Sequence, residues 1–369
     1  MTSDEHRTRS RFSAFKPEVR AGCASMTVEL RLSSRHALSG VIVAVLLSSS
    51  RVLAGDLEDG IAAYTRQDYA RALALLAPLA EQGVARAQTM LGAMYLFGNG
   101  VPHDDAQAMK WTRKPAELGD AKAQFGLGWM YETGQGATQD YAEAVKWYRK
   151  AADQGLKEAQ GDLGRMYDLG HGVSQDHAEA AKWYRKAADQ GDARSQTNLG
   201  VKYDLGEGIP QDRTEAFKWF HAAAIQGDAL GEMHLALMYH VGDGVGQDYA
   251  EAMKWYRKAA DQGDAASEEA IGSLYEWGRG VGQDHAEAVK WYRRAAVQGY
   301  SPAQADLGFE YEAGSGVQED DVLAHMWFSL AASQGYDLAA TERDKLAAKM
   351  TPDQIAEAQR RAREWKPTK

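Results

Sequence analysis

The sequence predicts an all-α protein, a solenoid of about eight 36-residue helical hairpins closed by a C-terminal capping helix. Three patterns with a period of 36 residues lead to this prediction. Tryptophan recurs at positions 111, 147, 183, 219, 255, 291 and 327. Tyrosine recurs at 95, 131, 167, 203, 239, 275 and 311. A Gly-x-Gly pair follows each of these tyrosines, first at 98/100 and last at 314/316.

Each repeat has the signals of two helices joined by a turn. In the third repeat, residues 140–175, Asp140 is placed to cap a helix, and Glu143 completes a capping-box-like pair. Gly155 suits a left-handed helix end, and Gly170 ends the second helix. Gly164 lacks a side chain, so a neighbouring helix can approach it closely. Single hairpins cannot bury both apolar stripes, whereas stacked hairpins can.

The repeats divide the chain into four segments. Residues 1–54 are an N-terminal extension plus signal peptide, and residues 55–67 form a lead-in helix. Residues 68–350 are the repeat array, and residues 351–369 are the capping helix and tail. Thr351, Pro352 and Gln354 supply the N-cap, first helical residue and capping-box partner of that last helix.

The N-terminal segment indicates export. Residues 37–47 are an apolar run of 11 residues that follows Arg31 and Arg35, and cleavage is predicted after Ala54. Met26 is an alternative start that gives a signal peptide of normal length. The run is too short to span a bilayer, so the mature protein is predicted to have no membrane span and to be periplasmic or secreted. The alternative is an uncleaved interfacial or buried helix.

Composition narrows the function. The chain has 42 Lys and Arg against 52 Asp and Glu, a formal net charge of −10, which argues against nucleic acid as a partner. Its single cysteine, Cys23, excludes a disulfide framework and a thiolate zinc site. No cofactor is predicted.

The repeat motif AxxWYRKAAxQGxxxAQxxLGxMYxxGxGVxQD resembles that of the Sel-1-like repeat family, a branch of the tetratricopeptide superfamily. The resemblance covers residues 68 to about 340, and the C-terminal MTPDQIAEAQRRAREW is similar to the closing segment of bacterial members. It implies a secreted bacterial protein, a right-handed superhelix with a concave face, and an adaptor that holds other proteins together. Some cysteine-rich members bind or cleave β-lactams, but this chain has no cysteine in the array.

No catalytic motif is predicted. The only S-x-x-K sequence, Ser13 to Lys16, precedes the signal segment, and no G-x-S-x-G elbow occurs. The Gly-x-Gly pairs follow helices rather than strands, so they are turns and not phosphate-binding loops. The histidines do not form H-E-x-x-H; His177 and His285 stand where other repeats have tyrosine and are interpreted as aromatic substitutes. We therefore expect no catalytic, cofactor or metal site and no enzymatic activity.

A row of basic residues is the main candidate for a partner-binding surface. It would suit an acidic protein segment or an anionic glycan. The alternative is local pairing on each helix, such as Glu143 with Lys146 and Arg149 with Asp153. Trp129 and Trp277 occupy positions at which the other repeats have varied residues. They are either exposed anchors for a partner or part of the core. The candidate residues are Lys146, Arg149, Lys182, Arg185, Lys218, Lys254, Arg257, Lys290, Arg293, Trp129 and Trp277.

The predicted function is a non-enzymatic protein–protein interaction scaffold in the periplasm or at the cell surface, which binds a segment of a partner in its concave face. One alternative is a glycan-binding accessory factor for exopolysaccharide or cell wall. The other is a cell-wall enzyme or β-lactam-binding protein, which the missing motifs disfavour.

Overall fold

The computed structural model describes residues 55–367. The predicted signal peptide and its cleavage after Ala54 lie outside the described residues. The described residues divide into two compact units between Ala159 and Gln160, and this boundary falls within one helix. Each unit is described by itself.

Eighteen helices and no strand occur in the described residues, which confirms the all-α prediction. The first unit contains α1 (55–65), α2 (Tyr69–Glu81), α3 (Ala85–Phe97), α4 (Asp105–Glu117), α5 (Ala121–Thr133) and α6 (Tyr141–Asp153). The boundary lies in α7 (Lys157–Leu169). The second unit continues with α8 (His177–Asp189), α9 (Ala193–Leu205), α10 (Arg213–Ala224), α11 (Ala229–Val241), α12 (Tyr249–Asp261) and α13 (Ala265–Trp277). It ends with α14 (His285–Val297), α15 (Ser301–Ala313), α16 (Asp321–Ser333), α17 (Asp337–Ala347) and α18 (Pro352–Glu364).

The helices form hairpins that follow one another along the chain, the solenoid architecture that the sequence predicts. In each hairpin the first helix begins after an aspartate, and the second helix packs against the first helix of the next hairpin. In the first unit the complete hairpins are α2/α3 and α4/α5. In the second unit they are α8/α9, α10/α11, α12/α13, α14/α15 and α16/α17. Within each hairpin we call the two members the first helix and the second helix.

The helix ends follow from the repeated Asp and Gly. The Asp212 carboxylate accepts a hydrogen bond from the Glu215 backbone N–H, 3.0 Å, and the same cap begins the other first helices from α4 to α16. Such a cap contributes about 1 kcal/mol. Gly155 and Gly170 have φ of 88° and 69°, the left-handed conformation predicted at these helix ends.

Glycine in the second helices lets the next first helix approach, as predicted for Gly164. A Cβ atom on Gly164 would lie 2.8 Å from Cδ1 of Tyr184, and one on Gly200 would lie 2.6 Å from Cε1 of Phe220. Both rings are almost completely buried. In the second unit, the core therefore includes sites where an aromatic ring of a first helix covers a glycine of the preceding second helix.

A relay of side-chain amides also joins neighbouring hairpins. Gln226 Nε2 donates to Gln196 Oε1, 2.7 Å, and Gln196 Nε2 donates to the carbonyl oxygen of Ala188, 3.2 Å. The relay adds a side-chain donor to a carbonyl near the end of a first helix, which also accepts from the backbone N–H of Gly191, 2.9 Å. The same two bonds recur from Gln334 through Gln304 to Ala296.

Some repeats depart from this relay, with different consequences. Glu232 and Glu268 replace the middle glutamine. Glu232 accepts from the Gln262 amide, 2.8 Å, whereas the buried Glu268 carboxylate is bound by Arg294, 2.9 Å, and by Gln298, 2.7 Å. In the first unit, Leu118 stands where the outer glutamine would be, and Gln88 Oε1 is buried without a hydrogen-bond partner among the described residues. An unsatisfied buried acceptor lowers stability.

The last helix closes the second unit. Thr351 and Gln354 form the reciprocal capping box predicted from the sequence, and α16 packs against both α17 and α18. The ring centroids of Trp327 and Trp365 are 6.1 Å apart. Hydrogen bonds from Arg360 and Arg361 lower the pKa of Glu357 to about 2, so this carboxylate stays charged on the outer face of α18.

Candidate protein-binding surfaces

The lysine row of the first helices is a row of ion pairs. Lys146, Lys182, Lys218, Lys254 and Lys290 each bind the glutamate three residues before them, and the N–O distances of the first four pairs are 2.5–2.9 Å. These lysine side chains are 61–69% exposed. The glutamate hydrogen bond raises the pKa of each lysine. The local pairing considered for Glu143 and Lys146 is therefore present, and the lysine charges are locally balanced.

These ion pairs correct the role predicted for the glutamates. The Asp140 carboxylate caps α6, but the Glu143 side chain pairs with Lys146, 2.5 Å, instead of completing a capping box. In α8, Glu179 binds both Lys182 and the indole N–H of Trp183, 3.0 Å. A charged partner three residues away competes successfully for the carboxylate, because a charge-assisted hydrogen bond is stronger than a neutral one.

The arginine row is held by the second helix of the same hairpin. Arg257 donates to the hydroxyl of Tyr275, 2.7 Å, and Arg293 donates to that of Tyr311, 2.6 Å. Arg185 donates to Tyr203, and its guanidinium lies 5.3 Å from the ring centroid of Trp219. These arginines therefore help to join the two helices of a hairpin.

The repeated tryptophans also lie beneath cations. Lys186 Nζ is 3.6 Å from the ring centroid of Trp183, and Lys258 Nζ is 3.8 Å from that of Trp255. The pairs are three residues apart on one helix, and cation–π contacts at such surface sites contribute about 0.5–1 kcal/mol. The first helices thus repeat one set of contacts, in which the basic side chains already have partners.

The two candidate tryptophans have opposite environments. Trp129 is 5% exposed, so its prediction as a partner-binding residue is wrong and it belongs to the core. Trp277 is 61% exposed. The physical reason is their place in the repeat: Trp277 is the last residue of α13, next to the left-handed Gly278, whereas Trp129 lies four residues before the end of α5.

Sequence reasoning missed an exposed stripe on the second helices. These helices are buried on most sides, but in α11 the residues Leu230, His234, Leu237 and Val241 remain accessible along one face. We define the second-helix stripe by the matching positions of the second unit, which are Arg194, Asn198, Val201 and Leu205 in α9, Leu230, His234, Leu237 and Val241 in α11, Ala266, Ala270, Ser273 and Trp277 in α13, and Pro302, Asp306, Phe309 and Ala313 in α15.

Large apolar residues of the stripe are exposed in three successive hairpins. Leu205 and Val241 are each 58% exposed, and Leu237 is 44% exposed. His234 stacks on Phe220 with centroids 4.7 Å apart, and burial lowers the pKa of this histidine, which keeps it neutral at pH 7. A 36-residue spacing also links Leu169, Leu205, Val241 and Trp277, each just before a left-handed glycine, and this was the sequence signal for the stripe.

Carboxyl groups adjoin the apolar part of the stripe. Glu269 in α13 and Asp306 in α15 hydrogen bond to each other, and burial raises the pKa of Glu269 to about 7 and that of Asp306 to about 8. The charge of Glu276 contributes to both shifts, and Tyr292 donates its hydroxyl proton to Glu276. Among residues 55–367, no lysine or arginine forms an ion pair with Glu269, Glu276 or Asp306.

A second cluster of charges has its own cation. Asp168, His177 and Glu207 place ligand atoms within 4.8 Å of one another. The ammonium group of Lys202, whose side chain is 5% exposed, lies 2.5 Å from Asp168 and 2.7 Å from Glu207. His177 Nδ1 is 2.7 Å from Asp168, and His285 Nδ1 is 3.3 Å from Glu310, so both histidines are partners of carboxylates and not simple aromatic substitutes.

The hairpins share one set of contacts in their first helices and differ in the exposed residues of their second helices. This architecture defines a repeat protein built from helical hairpins. The Sel1 repeat family matches eight consecutive segments, residues 53–84, 85–120, 121–156, 157–192, 193–228, 229–264, 265–300 and 301–336. The chain belongs to the Sel1 repeat family. Sel1 repeat proteins generally mediate protein–protein interactions, and the family is typically a non-enzymatic scaffold.

Solved structures of bacterial proteins are similar to this chain. A Sel1 repeat protein from Oxalobacter formigenes is 34% identical, with a TM-score of 0.60 over 65% of this chain and 96% of that chain. The protein c5321, described as a protective antigen present in uropathogenic Escherichia coli strains and displaying an SLR fold, is 29% identical, with a TM-score of 0.53 over 87% of this chain and 93% of that chain. No curated protein matches the chain.

No helix within residues 55–367 has the length and apolar character needed to cross a membrane.

Proposed function

We propose that this protein is an exported, non-enzymatic adaptor that binds a segment of a partner protein. The observation that carries this proposal is the exposure of Leu205, Leu237, Val241 and Trp277 on neighbouring second helices. Large apolar side chains grouped on a surface favour association, because covering them removes apolar area from water. Aromatic residues such as tryptophan also dominate binding energy at many interfaces.

The second helices are preferred to the basic rows as the principal contact surface. Lys146, Lys182, Lys218, Lys254 and Lys290 are balanced by their own glutamates, and Arg185, Arg257 and Arg293 are bound to tyrosines. Recruiting them would require breaking these contacts, whereas the apolar stripe has no such competition. The basic rows stay a predicted secondary surface, for an acidic segment or an anionic glycan.

Affinity capture from the native cell envelope tests the adaptor. The bait is the protein from Gly55 onward, compared with a Lys182→Glu/Lys218→Glu/Lys254→Glu variant and with a Leu237→Ser/Trp277→Ala variant. We expect one or two envelope proteins to be retained by the wild type and by the lysine variant, and to be lost from the stripe variant. If the bait instead binds only peptidoglycan or polysaccharide, and the lysine variant loses this binding, the result would support the glycan-binding alternative.

Export is tested separately by cell fractionation and N-terminal sequencing. We expect the protein in the periplasmic or secreted fraction, with Gly55 as its first residue, because a small residue precedes the cleavage point. A cytoplasmic protein that begins at Met1 or Met26 would contradict the proposed export.

A further inference from the structure

The second-helix stripe combines two surfaces of different chemistry. Its apolar part is formed by Leu205 in α9, Leu230, Leu237 and Val241 in α11, and Trp277 in α13. Its acidic part is the half-buried Asp306 in α15, which interacts with two half-buried glutamates of α13 outside the stripe positions, Glu269 and Glu276. Both parts lie in the second unit.

Side-chain contacts link successive second helices of the second unit. The hydroxyl of Thr197 in α9 donates to the N-cap Asp228 of α11, 2.8 Å, and a Cβ on Gly231 would lie 3.0 Å from that hydroxyl. The α11 and α13 helices share a core cluster that includes Ala236 and Ile271. The carboxyl groups of Glu269 and Asp306 link α13 to α15. The stripe positions of these four helices therefore lie on successive neighbours in the stack.

We infer that this surface binds an amphipathic segment of a partner protein that carries leucine-like side chains on one face and a lysine or arginine beside them. The inference rests on the proposed adaptor function and names the chemistry of its partner. Leu237, Val241 and Trp277 would bury the apolar face of the segment. Its cation would lie against Glu269 and Asp306.

Charge complementarity selects a basic segment over an acidic or neutral one. The carboxyls of Glu269 and Asp306 lie together, and neither has a Lys or Arg partner in the described part of the chain. A negative charge on the partner segment would therefore be repelled. Burial also makes it costly for both carboxyls to be ionised at once. A bound lysine or arginine would compensate the ionised pair and form charge-assisted hydrogen bonds. The chain as a whole has a formal net charge of −10, which attracts basic partners over longer distances.

Other charged clusters do not offer the same opportunity. Asp168 and Glu207 already bind Lys202, and Glu268 already binds Arg294. In both of these clusters a cation of the same chain compensates the carboxylate. Within residues 55–367, Glu269 and Asp306 form no such ion pair with a lysine or arginine, and Glu269 lies on the same helix as the exposed Trp277.

Binding of designed peptides to the protein from Gly55 onward tests the inference. The probe is an amphipathic helical peptide of leucine and lysine, about 18 residues long because shorter helices are marginally stable in water. The matched probe has glutamate in place of every lysine. Fluorescence anisotropy at physiological salt measures both affinities, since lower salt would exaggerate the contribution of surface charge.

Variants of the protein separate the two parts of the surface. We expect Leu237→Ser/Trp277→Ala to weaken the leucine–lysine peptide by about thirtyfold. We expect Glu269→Gln/Asp306→Asn to weaken it by about tenfold. The matched controls are Ile225→Ser, an exposed apolar residue outside the stripe, and Asp189→Asn/Asp261→Asn, two exposed carboxylates at the ends of first helices. Circular dichroism establishes that each variant is folded.

Three results would overturn the inference: no binding of the leucine–lysine peptide, equal binding of the leucine–glutamate peptide, or equal weakening by the control variants. Failure of the surface is distinguishable from failure of the adaptor. If envelope proteins are captured by the wild type and still retained by Leu237→Ser/Trp277→Ala, the adaptor stands and this surface is wrong. If the wild type captures no protein, the adaptor itself is refuted.

Discussion

The first and second helices of each hairpin differ in what they repeat. First helices reuse one set of contacts: an aspartate cap, a Glu–Lys pair, a cation above a tryptophan and an arginine bound to a tyrosine. Second helices reuse their buried residues, but the residues of their exposed stripe change from apolar in α11 to partly acidic in α15. Repeated positions thus build the stack, and variable positions are free to determine what the protein binds.

The largest expected effect separates a core aromatic residue from a surface one. Tyr184→Ala should lower the free energy of unfolding by about 3–5 kcal/mol, because it empties the site above Gly164. Trp277→Ala should change it by less than about 0.5 kcal/mol, since most of this side chain is exposed. Urea titration followed by circular dichroism measures both. Equal losses would mean that the stripe is part of the core.

The carboxyl pair should make stability depend on pH. The folded-state pKa values of Glu269 and Asp306, about 7 and about 8, lie above their ordinary values, so the folded state binds more protons. Their contribution is complete below about pH 4 and is lost as pH rises through the folded-state pKa values. The melting temperature should therefore fall between pH 6 and pH 9.

Substitution isolates this effect. Glu269→Gln/Asp306→Asn should flatten the decline of the melting temperature between pH 6 and pH 9. Asp189→Asn/Asp261→Asn, which alters exposed residues of first helices, should leave the slope of the wild type. An unchanged slope in the first variant would show that other groups cause the pH dependence.

A smaller effect, of opposite sign, is expected where the amide relay is incomplete. Leu118→Gln should raise stability by about 1 kcal/mol, because the amide of the new glutamine can donate to the buried Gln88 Oε1. This hydrogen bond would match the one that Gln226 donates to Gln196. The reverse change, Gln226→Leu, should destabilise by about 1–3 kcal/mol. Chemical denaturation of both variants measures the difference. A destabilised Leu118→Gln protein would show that this position cannot hold the relay.

The smallest effect is expected for the exposed ion pairs. Lys218→Ala should leave the melting temperature almost unchanged, and the small difference from the wild type should shrink as salt is added. Thermal melting at low and high salt measures it. A clear fall in melting temperature that salt does not reduce would mean that the lysine stabilises the fold by more than its pairing with Glu215.

Local sequence alone was sufficient to predict the interactions between residues that are close together in the chain. The Asp caps, the left-handed glycines, the capping box at Thr351 and the Glu–Lys pairs involve residues up to four positions apart, so helical geometry fixes them in advance. The close approach at Gly164 also followed from the missing Cβ. The predicted reciprocal role of Glu143 was wrong because a lysine competes for the same carboxylate.

Contacts between residues far apart could not be inferred in this way. The Arg–Tyr bonds join positions 18 residues apart, and the amide relay joins positions 30 residues apart, so both depend on how helices are placed beside one another. The stripe was missed because its leucines and valines resemble core residues in sequence. Only burial against neighbouring helices distinguishes the two.

The sequence by itself determined the period, the eight-repeat all-α architecture and the membership of a family built from it, because these follow from local patterns repeated along the chain. The tertiary structure decided that Trp129 is core and Trp277 is surface, that the lysines are balanced, and that two carboxyls meet between α13 and α15. Burial and charge pairing depend on neighbours supplied by other hairpins, and those neighbours exist only in the folded stack.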